Sequence, residues 1–297
     1  MNCFSTKIDL KLAEKLKNDL LQQGFEITIP PYTIFAAKKK GVSCNLYKSG
    51  SLTVQGKDMA AFIEFYLEPE ILKEFTFTHP TATADLTPRI GVDEAGKGDF
   101  FGPLCTCAFY ADKDDIQKLI SLNIRDSKRM SDQTVLKIAK ELEKSFTHDV
   151  ICISPLKYND LYQKMKNLNF LLGWAHATAI GNLVQKSSCK KVIIDQFASE
   201  YVVENALKKK NIEVDLTQQH RAESDVVVAA ASIVARATFL KQLQVLSEKL
   251  GINLPKGASK LVLKTGKEIV QKFGAGKLSE YSKAHFKTTE DILNELK

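Results

Sequence analysis

Two adjacent carboxylates, Asp93-Glu94, close the short apolar run Ile90-Gly91-Val92, and a lysine between two glycines follows at once in Gly96-Lys97-Gly98. A strand ending in Asp-Glu points one carboxylate to each side of its axis unless the backbone bends. Gly96 and Gly98 can supply a bend and allow close approach of a backbone, because they lack a Cβ. Lys97, held between them, is placed to meet an anionic backbone. Carboxylates for a hard divalent cation beside a cation for phosphate suit metal-assisted phosphodiester cleavage. The plain alternative is an exposed acidic hairpin turn, where Asp and Gly are common. A dinucleotide-binding loop is excluded: the third glycine would fall at Phe101, and Gly102-Pro103 leads into the strand-like run Leu104–Tyr110 rather than a helix.

Two further places offer carboxylates. Lys191-Val192-Ile193-Ile194-Asp195 reads as a buried strand ending in an acid, and Arg221-Ala222-Glu223-Ser224-Asp225 opens a long alanine-rich helix expected over Glu223–Lys249. Sites in open α/β sheets lie at the C-terminal ends of neighbouring strands. If the strands ending at Asp93-Glu94 and Asp195 pair in parallel, their carboxylates meet, and Glu223 can join them. Alone, Asp195 merely ends a strand and Glu223 merely favours a helix N-terminus; together with Asp93-Glu94 they form the acidic cluster a two-metal nuclease requires.

The elements that position these residues fall into two parts. The proline-bounded stretch 79–88 reads as a linker between residues 1–78 and 89–297. Ahead of it, a helix over Asp9–Gln23, β-like runs at Phe25–Ile29, Tyr32–Lys38, Val42–Tyr47 and Leu52–Gln55, and a helix over Met59–Phe65 make a small α+β domain with a sheet face open to a partner. Lys38-Lys39-Lys40 is a basic turn on it. After the linker, the two strand candidates around the motif, a third at Asp149–Ser154, and helices from Ser131 to Phe146 and Asn169 to Val184 suggest a mixed sheet with helices on both faces.

Bulk properties narrow the class. The net charge of +7 resides wholly after residue 85, since the first 85 residues hold ten basic and ten acidic side chains. A basic excess on the part bearing the carboxylates fits a polyanionic substrate. No apolar run approaches the roughly 20 residues that span a bilayer, so no membrane is expected. The first residues lack the plan of a signal peptide, and six scattered cysteines without a CxxC pair suit reduced thiols; the cytosol is the expected compartment.

These residues resemble the type 2 ribonucleases H, and within them the HIII branch. Gly91–Gly98 is similar to the family's first catalytic segment, Asp126-Ser127-Lys128 to its second signature, Ile194-Asp195-Gln196-Phe197 to its third, and Arg221-Ala222-Glu223 with Ala229–Ile233 to its fourth. Leu254-Pro255-Lys256-Gly257 and Ala284-His285-Phe286-Lys287 resemble its C-terminal part; Tyr47-Lys48-Ser49-Gly50 and Val54-Gln55-Gly56 resemble its N-terminal domain. Ribonucleases HII usually carry arginine between the motif glycines and aspartate as fourth carboxylate; Lys97 and Glu223 here follow the HIII pattern.

The resemblance implies a ribonuclease H-like mixed sheet with flanking helices, preceded by a small α+β domain like the TATA-box-binding protein. It implies a monomer cleaving the RNA strand of RNA/DNA hybrids to 3′-hydroxyl and 5′-phosphate ends, with Asp93, Glu94, Asp195 and Glu223 holding two Mg²⁺ or Mn²⁺ ions. Gly96, Lys97 and Gly98 would meet the 2′-hydroxyl that only RNA offers. Lys128, Lys256 and Lys287 would contact phosphate, with Tyr47 and Lys48 on the first domain. His176, on an apolar helix, reads as packing or surface polar, His285 as structural or phosphate-facing, and Tyr281 as lying on a surface helix. A DNA-directed nuclease or recombinase on the same fold, or a hybrid-binding protein with a vestigial site, are the competing readings.

Overall fold

The computed structural model describes residues 3–75, 77–78, 84–124, 127 and 130–296, and the chain divides into two compact units, Met1–Asp85 and Leu86–Lys297. In the first unit, β1 (Cys3–Lys7), β2 (Glu26–Thr28), β3 (Thr33–Lys39), β4 (Val42–Tyr47) and β5 (Ser51–Gln55) form one antiparallel sheet in the order β1-β5-β4-β3-β2. α1 (Ala13–Gln22) and α2 (Met59–Phe62) pack on one face. α2 runs on as a π-helix over Ile63–Leu72 with Pro69 inside it, so this helical segment extends past the expected Phe65.

Four strands are expected from the sequence and five are found. β1 carries a single large apolar side chain, Phe4, which sits opposite Val54 and joins the core; one such residue gives no periodic signal. Alternation along β3, β4 and β5 buries Phe35, Ala37, Cys44, Leu46, Leu52 and Val54 under the helices. Ser43, Asn45, Tyr47, Ser51 and Thr53 take the other face and stay partly exposed.

The second unit is built on a mixed sheet ordered β10-β9-β6-β7-β8. Its strands are β6 (Arg89–Ala95), β7 (Leu104–Ala111), β8 (His148–Ile153), β9 (Lys191–Asp195) and β10 (Asp215–Gln219). β6, β9 and β10 run parallel; β7 and β8 are antiparallel additions. On one face lie α3 (Lys113–Ser121), α4 (Asp132–Ser145) and α8 (Val226–Leu250). The other carries α5 (Pro155–Met165), α6 (Leu168–Ser187) and α7 (Glu200–Lys209). α9 (Lys260–Phe273), α10 (Ala275–Leu278) and α11 (Lys287–Asn294) gather with Phe100, Phe101 and the second half of α8 into a further apolar cluster.

α8 corrects one expectation: its 25 residues are long and apolar enough to cross a membrane by length and composition. Its apolar residues are instead buried from Val227 to Phe239, against β6, β7 and α4. Ala229, Ala230 and Ala231 let it lie close, and Gly91 lets it lie closer. A Cβ at Gly91 would stand 2.4 Å from the Val228 nitrogen and 2.5 Å from the Val227 carbonyl carbon.

A buried lysine ties the last part of the chain to the loop after β6. Lys283 is fully buried and donates from Nζ to the carbonyls of Asp99 and Gly102, at 2.8 Å each. Burial pushes its ammonium from 10.5 down to about 8, against the opposing pull of the Asp99 and Cys105 side chains. Between those values the unfolded chain binds a proton that the folded chain has released, so stability rises with pH across that window. The span corresponds to a gain on the order of 3 kcal/mol. Lys283→Met should lack that rise; denaturant titrations of both proteins at pH 7.5 and 10 compare the slopes, and equal slopes would refute the assignment.

Candidate active site at the ends of two parallel strands

The register of β6 against β9 brings two of the expected carboxylates together. Ile90, Gly91 and Val92 pair with Val192, Ile193 and Ile194, which sets Asp93 and Asp195 at the next step along the two strands. The pairing follows from composition, since Val192–Ile194 is an apolar run buried on both faces, as parallel strands require. β6 does not stop at the acidic pair as expected; it continues to Ala95, with Asp93 opposite Cys107 and Glu94 opposite Thr106.

Strand alternation separates Asp93 from Glu94. Ile90 and Val92 pack with Ala177, Ile180 and Leu183 of α6, whereas Gly91 faces α8. Glu94 therefore leaves the sheet on the α6 side, where its Oε2 meets His176 Nε2 at 3.1 Å. Asp93 leaves toward α8, and its Oδ1 accepts the Glu94 amide at 2.8 Å. Past the strand, Gly96 turns the chain at φ +88°, and a Cβ there would lie 2.2 Å from the Pro103 carbonyl oxygen.

Glu223 sits on a turn rather than a helix. α8 starts at Val226, not at Glu223 as expected, and Ala222–Ser224 is a 3₁₀ turn entered through Arg221 at φ 59°. Ile193, Ala222 and Val228 form a small apolar cluster that seats this turn. The Ala222 amide donates to Asp195 Oδ1 at 3.0 Å, so the turn bearing Glu223 is hydrogen-bonded directly to a second carboxylate. Asp225 caps α8, accepting from the Val227 and Val228 amides, and its Oδ2 pairs with Arg89 Nε at 2.8 Å.

His176 is not surface polar: it is fully buried and holds Glu94. Lys97 stands 3.7 Å from the other Glu94 oxygen and 5.4 Å above the Phe197 ring, which also packs on His176. Burial alone would raise the Glu94 pKa, but the hydrogen bond and charge of His176, reinforced by Lys97, hold it below the ordinary value. Among the described residues, no three His, Cys, Asp or Glu side chains are gathered into a ready cation cage. The donors aligned at this edge are carboxylate oxygens, which suit a hard divalent cation.

A cavity of about 300 Å³ opens beside the motif, lined by Asp93 to Asp99 together with Ser127, Ser232, Arg236 and Lys256. Ser127 Oγ and Ser232 Oγ are hydrogen-bonded at 2.8 Å. The Arg236 guanidinium donates to the carbonyls of Ser127 and Met130 and to Asp132 Oδ1, tying these three residues to α8. From the sequence, Arg236 is passed over and Ser232 enters only within the Ala229–Ile233 block; both lie in a helix whose other residues read as core, where a cation and a hydroxyl in an apolar stretch are the available signal. Lys256 borders the cavity, with its ammonium held by Asp132. Lys128, with Asp126, lies outside the described residues.

Tyr47 and Lys48 belong to the first unit, where Tyr47 ends β4. Tyr281 is buried rather than set on a surface helix, and its carbonyl accepts the Gly102 amide at 3.0 Å. His285 stacks on Tyr162 with ring centres 4.1 Å apart, and Lys287 opens α11.

Comparisons with known proteins bear on the fold and the family. The family model for ribonuclease HII matches residues 90–289, and a domain of unknown function, DUF3378, matches residues 4–77. Ribonuclease HIII of Protochlamydia amoebophila (strain UWE25) is 54% identical over 293 residues, covering 99% of this chain and 97% of its own. Ribonuclease HIII of Chlamydia felis is 50% identical, with 97% of each chain covered. Among solved structures, Bst-RNase HIII in complex with Mn²⁺ has a TM-score of 0.70 and 26% identity, covering 100% of this chain and 99% of that one. Aquifex aeolicus RNase H3 has a TM-score of 0.56 and 31% identity, covering 94% and 98%. With its ribonuclease H-like sheet, flanking helices and preceding small domain, the chain belongs to the ribonuclease HIII family.

Proposed function

We propose that this chain cleaves the RNA strand of RNA/DNA hybrids internally, leaving 3′-hydroxyl and 5′-phosphate ends, with Asp93, Glu94, Asp195 and Glu223 as its catalytic carboxylates. Family membership makes it a metal-dependent ribonuclease; the choice of ions and the residue roles are our reading. The observation that carries it is the parallel register setting Asp93 beside Asp195, with the Glu223 turn hydrogen-bonded to Asp195.

An all-oxygen donor set fits Mg²⁺ or Mn²⁺, which when bound as a pair would activate water and stabilise the leaving oxygen. The chain's own groups do the positioning. His176 keeps Glu94 ionised and aimed from the α6 face. Gly96 turns the backbone and Gly98 has open space about its Cα, so the amides near Lys97 can approach a 2′-hydroxyl. Arg236 holds the carbonyl of Ser127, the middle residue of the second signature. Lys97, Lys128 and Lys256 are assigned to phosphate. The protein acts as a single copy, and a reducing compartment such as the cytosol suits its six free cysteines.

The test is one gel: a labelled hybrid, an all-DNA duplex, and a DNA duplex with one ribonucleotide, each with and without Mg²⁺ or Mn²⁺. Cleavage of the hybrid alone, dependent on metal, supports the reading; cleavage of all-DNA duplex would overturn it. On this gel we expect efficient cutting within runs of ribonucleotides and poor cutting at a single one in Mg²⁺. The reason is that Lys97 is a point charge without the planar fork that arginine offers for bidentate contacts. Equal rates would refute that substrate preference and leave the nuclease reading intact.

We assign residues 1–78 to substrate binding, through the partly exposed sheet face bearing Ser43, Asn45 and Tyr47, with Lys48 beside it. Removing residues 1–80 should weaken hybrid affinity more than it lowers the single-turnover rate at saturation. Lys39 of the basic turn is already spent on the Gln23 carbonyl at 2.7 Å, so the sheet face carries this assignment. Unchanged affinity in a filter-binding titration would refute it.

A further inference from the structure

Cys105 on β7 and Cys152 on β8 stand directly opposite each other in a ladder that runs unbroken from Leu104–Ile153 to Phe109–His148. One step beyond, the Tyr110 amide donates to the Thr147 carbonyl at 3.0 Å, which marks that pair as hydrogen-bonded. Such pairs alternate with non-hydrogen-bonded ones along an antiparallel ladder. Cys105–Cys152, five steps back, is therefore a non-hydrogen-bonded pair. In these the Cα atoms approach to roughly 4.5 Å, inside the span of about 4.4–6.8 Å that a disulfide bridges.

The two thiols already touch: Cys105 Sγ donates to Cys152 Sγ at 3.5 Å. Their exposures differ sharply. Cys152 is exposed on the edge strand of the sheet, while Cys105 is buried with Phe100, Phe101 and Phe239. A small oxidant can reach one sulfur while the other waits behind it. The hydrogen bond also lowers the Cys152 pKa and raises that of Cys105, so Cys152 is the readier thiolate. Cys107 faces Val150 and has no thiol opposite.

We propose that Cys152 is an oxidation site resolved by Cys105, giving a reversible cross-strand disulfide when the protein meets a hydroperoxide. The Cys152 thiolate attacks a peroxide oxygen and the O–O bond breaks, leaving a sulfenic acid and, after proton uptake, water or an alcohol. The Cys105 sulfur then attacks the Cys152 sulfur. The S–O bond breaks, and the departing hydroxide leaves as water with the Cys105 proton. Two thiols lose two electrons and the peroxide gains them; a dithiol reductant reverses the bond. Transient disulfides of this kind occur in otherwise reducing compartments. Because Cys105 also pairs with Ala95, the bond would form on the strand beside the motif, independently of what the site cleaves.

The full-length reduced protein is treated with a small excess of hydrogen peroxide, alkylated, and digested with trypsin without reduction. The expected product joins peptide 98–113 to peptide 145–157, with an intact mass lower by two hydrogens and full return on dithiothreitol. Peptide 98–113 holds both Cys105 and Cys107, so fragmentation on either side of Thr106 assigns the linkage. The cross-link should vanish in Cys152→Ser and persist in Cys107→Ala, an exposed and a small-for-small change that leave folding intact. A stable oxygen adduct on Cys152 with Cys105 still alkylatable, or a linkage through Cys107, would overturn the proposal. The mass readout stands apart from any cleavage assay, so failure here says nothing about the nuclease reading.

Discussion

Asp195→Asn, and equally Asp93→Asn, should lower hybrid cleavage by at least about a thousandfold while leaving hybrid affinity within a few-fold. Removing a ligand that must serve both water activation and charge stabilisation costs several kcal/mol of transition-state stabilisation, and three decades in rate is about 4 kcal/mol. Glu94→Gln and Glu223→Gln should fall in the same class. Asp195 carries a second duty, since its Oδ1 holds the Ala222 amide; Asn keeps an acceptor there, so the turn stays in place and the loss reads as chemistry. His176→Phe is the informative companion. It preserves the packing against Phe197 but frees Glu94, so it should lower kcat by less than Glu94→Gln does and leave KM nearly unchanged. Single-turnover rates with saturating enzyme separate these cases, and wild-type turnover in Asp195→Asn would overturn the proposed site.

Arg89→Met should be the most damaging substitution outside the carboxylates, lowering stability by about 3–5 kcal/mol, the usual cost of breaking a buried ion pair. Arg89 is 3% exposed and Asp225 is 13% exposed, and the pair joins the first residue of β6 to the cap of α8. Arg89 Nη1 also donates to the Thr87 carbonyl at 2.8 Å. Asp225→Asn retains a capping oxygen and removes only the charge opposite the guanidinium, which keeps the Thr87 carbonyl, so it should cost less than Arg89→Met. It should also spare the chemistry, because Glu223 is the proposed fourth carboxylate and Asp225 is occupied with Arg89. Urea denaturation of both single variants and the double variant measures the coupling; a loss under about 1 kcal/mol for Arg89→Met would show the pair to be energetically idle.

Much of the site is legible in the sequence because each piece has a local signature. An apolar run ending in carboxylates marks β6 and β9, and a glycine pair marks the turn after β6. The parallel pairing was conditional in the sequence and became definite only with the register. His176 escapes sequence reading because its partner lies 82 residues away, and nothing local distinguishes a buried partnered histidine from a surface one. The start of α8 was misplaced for a related reason: Glu223 and Asp225 are both acceptable helix openers, and the choice falls to Asp225 through its capping bonds and through Arg89, which lies 136 residues earlier. β1, β10, α3, α5 and α7 have no counterpart among the expected elements, and β1 is short and nearly all polar. Tyr281 differs from its expectation because it stands on a turn after α10 rather than on a helix, and is buried with the cluster around Phe100 and Phe101.

Gly91 also governs how this sequence can drift. Every replacement for glycine brings a Cβ, and here that atom would strike the backbone of Val227 and Val228 rather than a side chain that could rotate aside. Trimming either valine to alanine removes nothing from the point of collision. A defect at Gly91 therefore has no intragenic suppressor at the residues it touches, and a screen for revertants should return glycine itself.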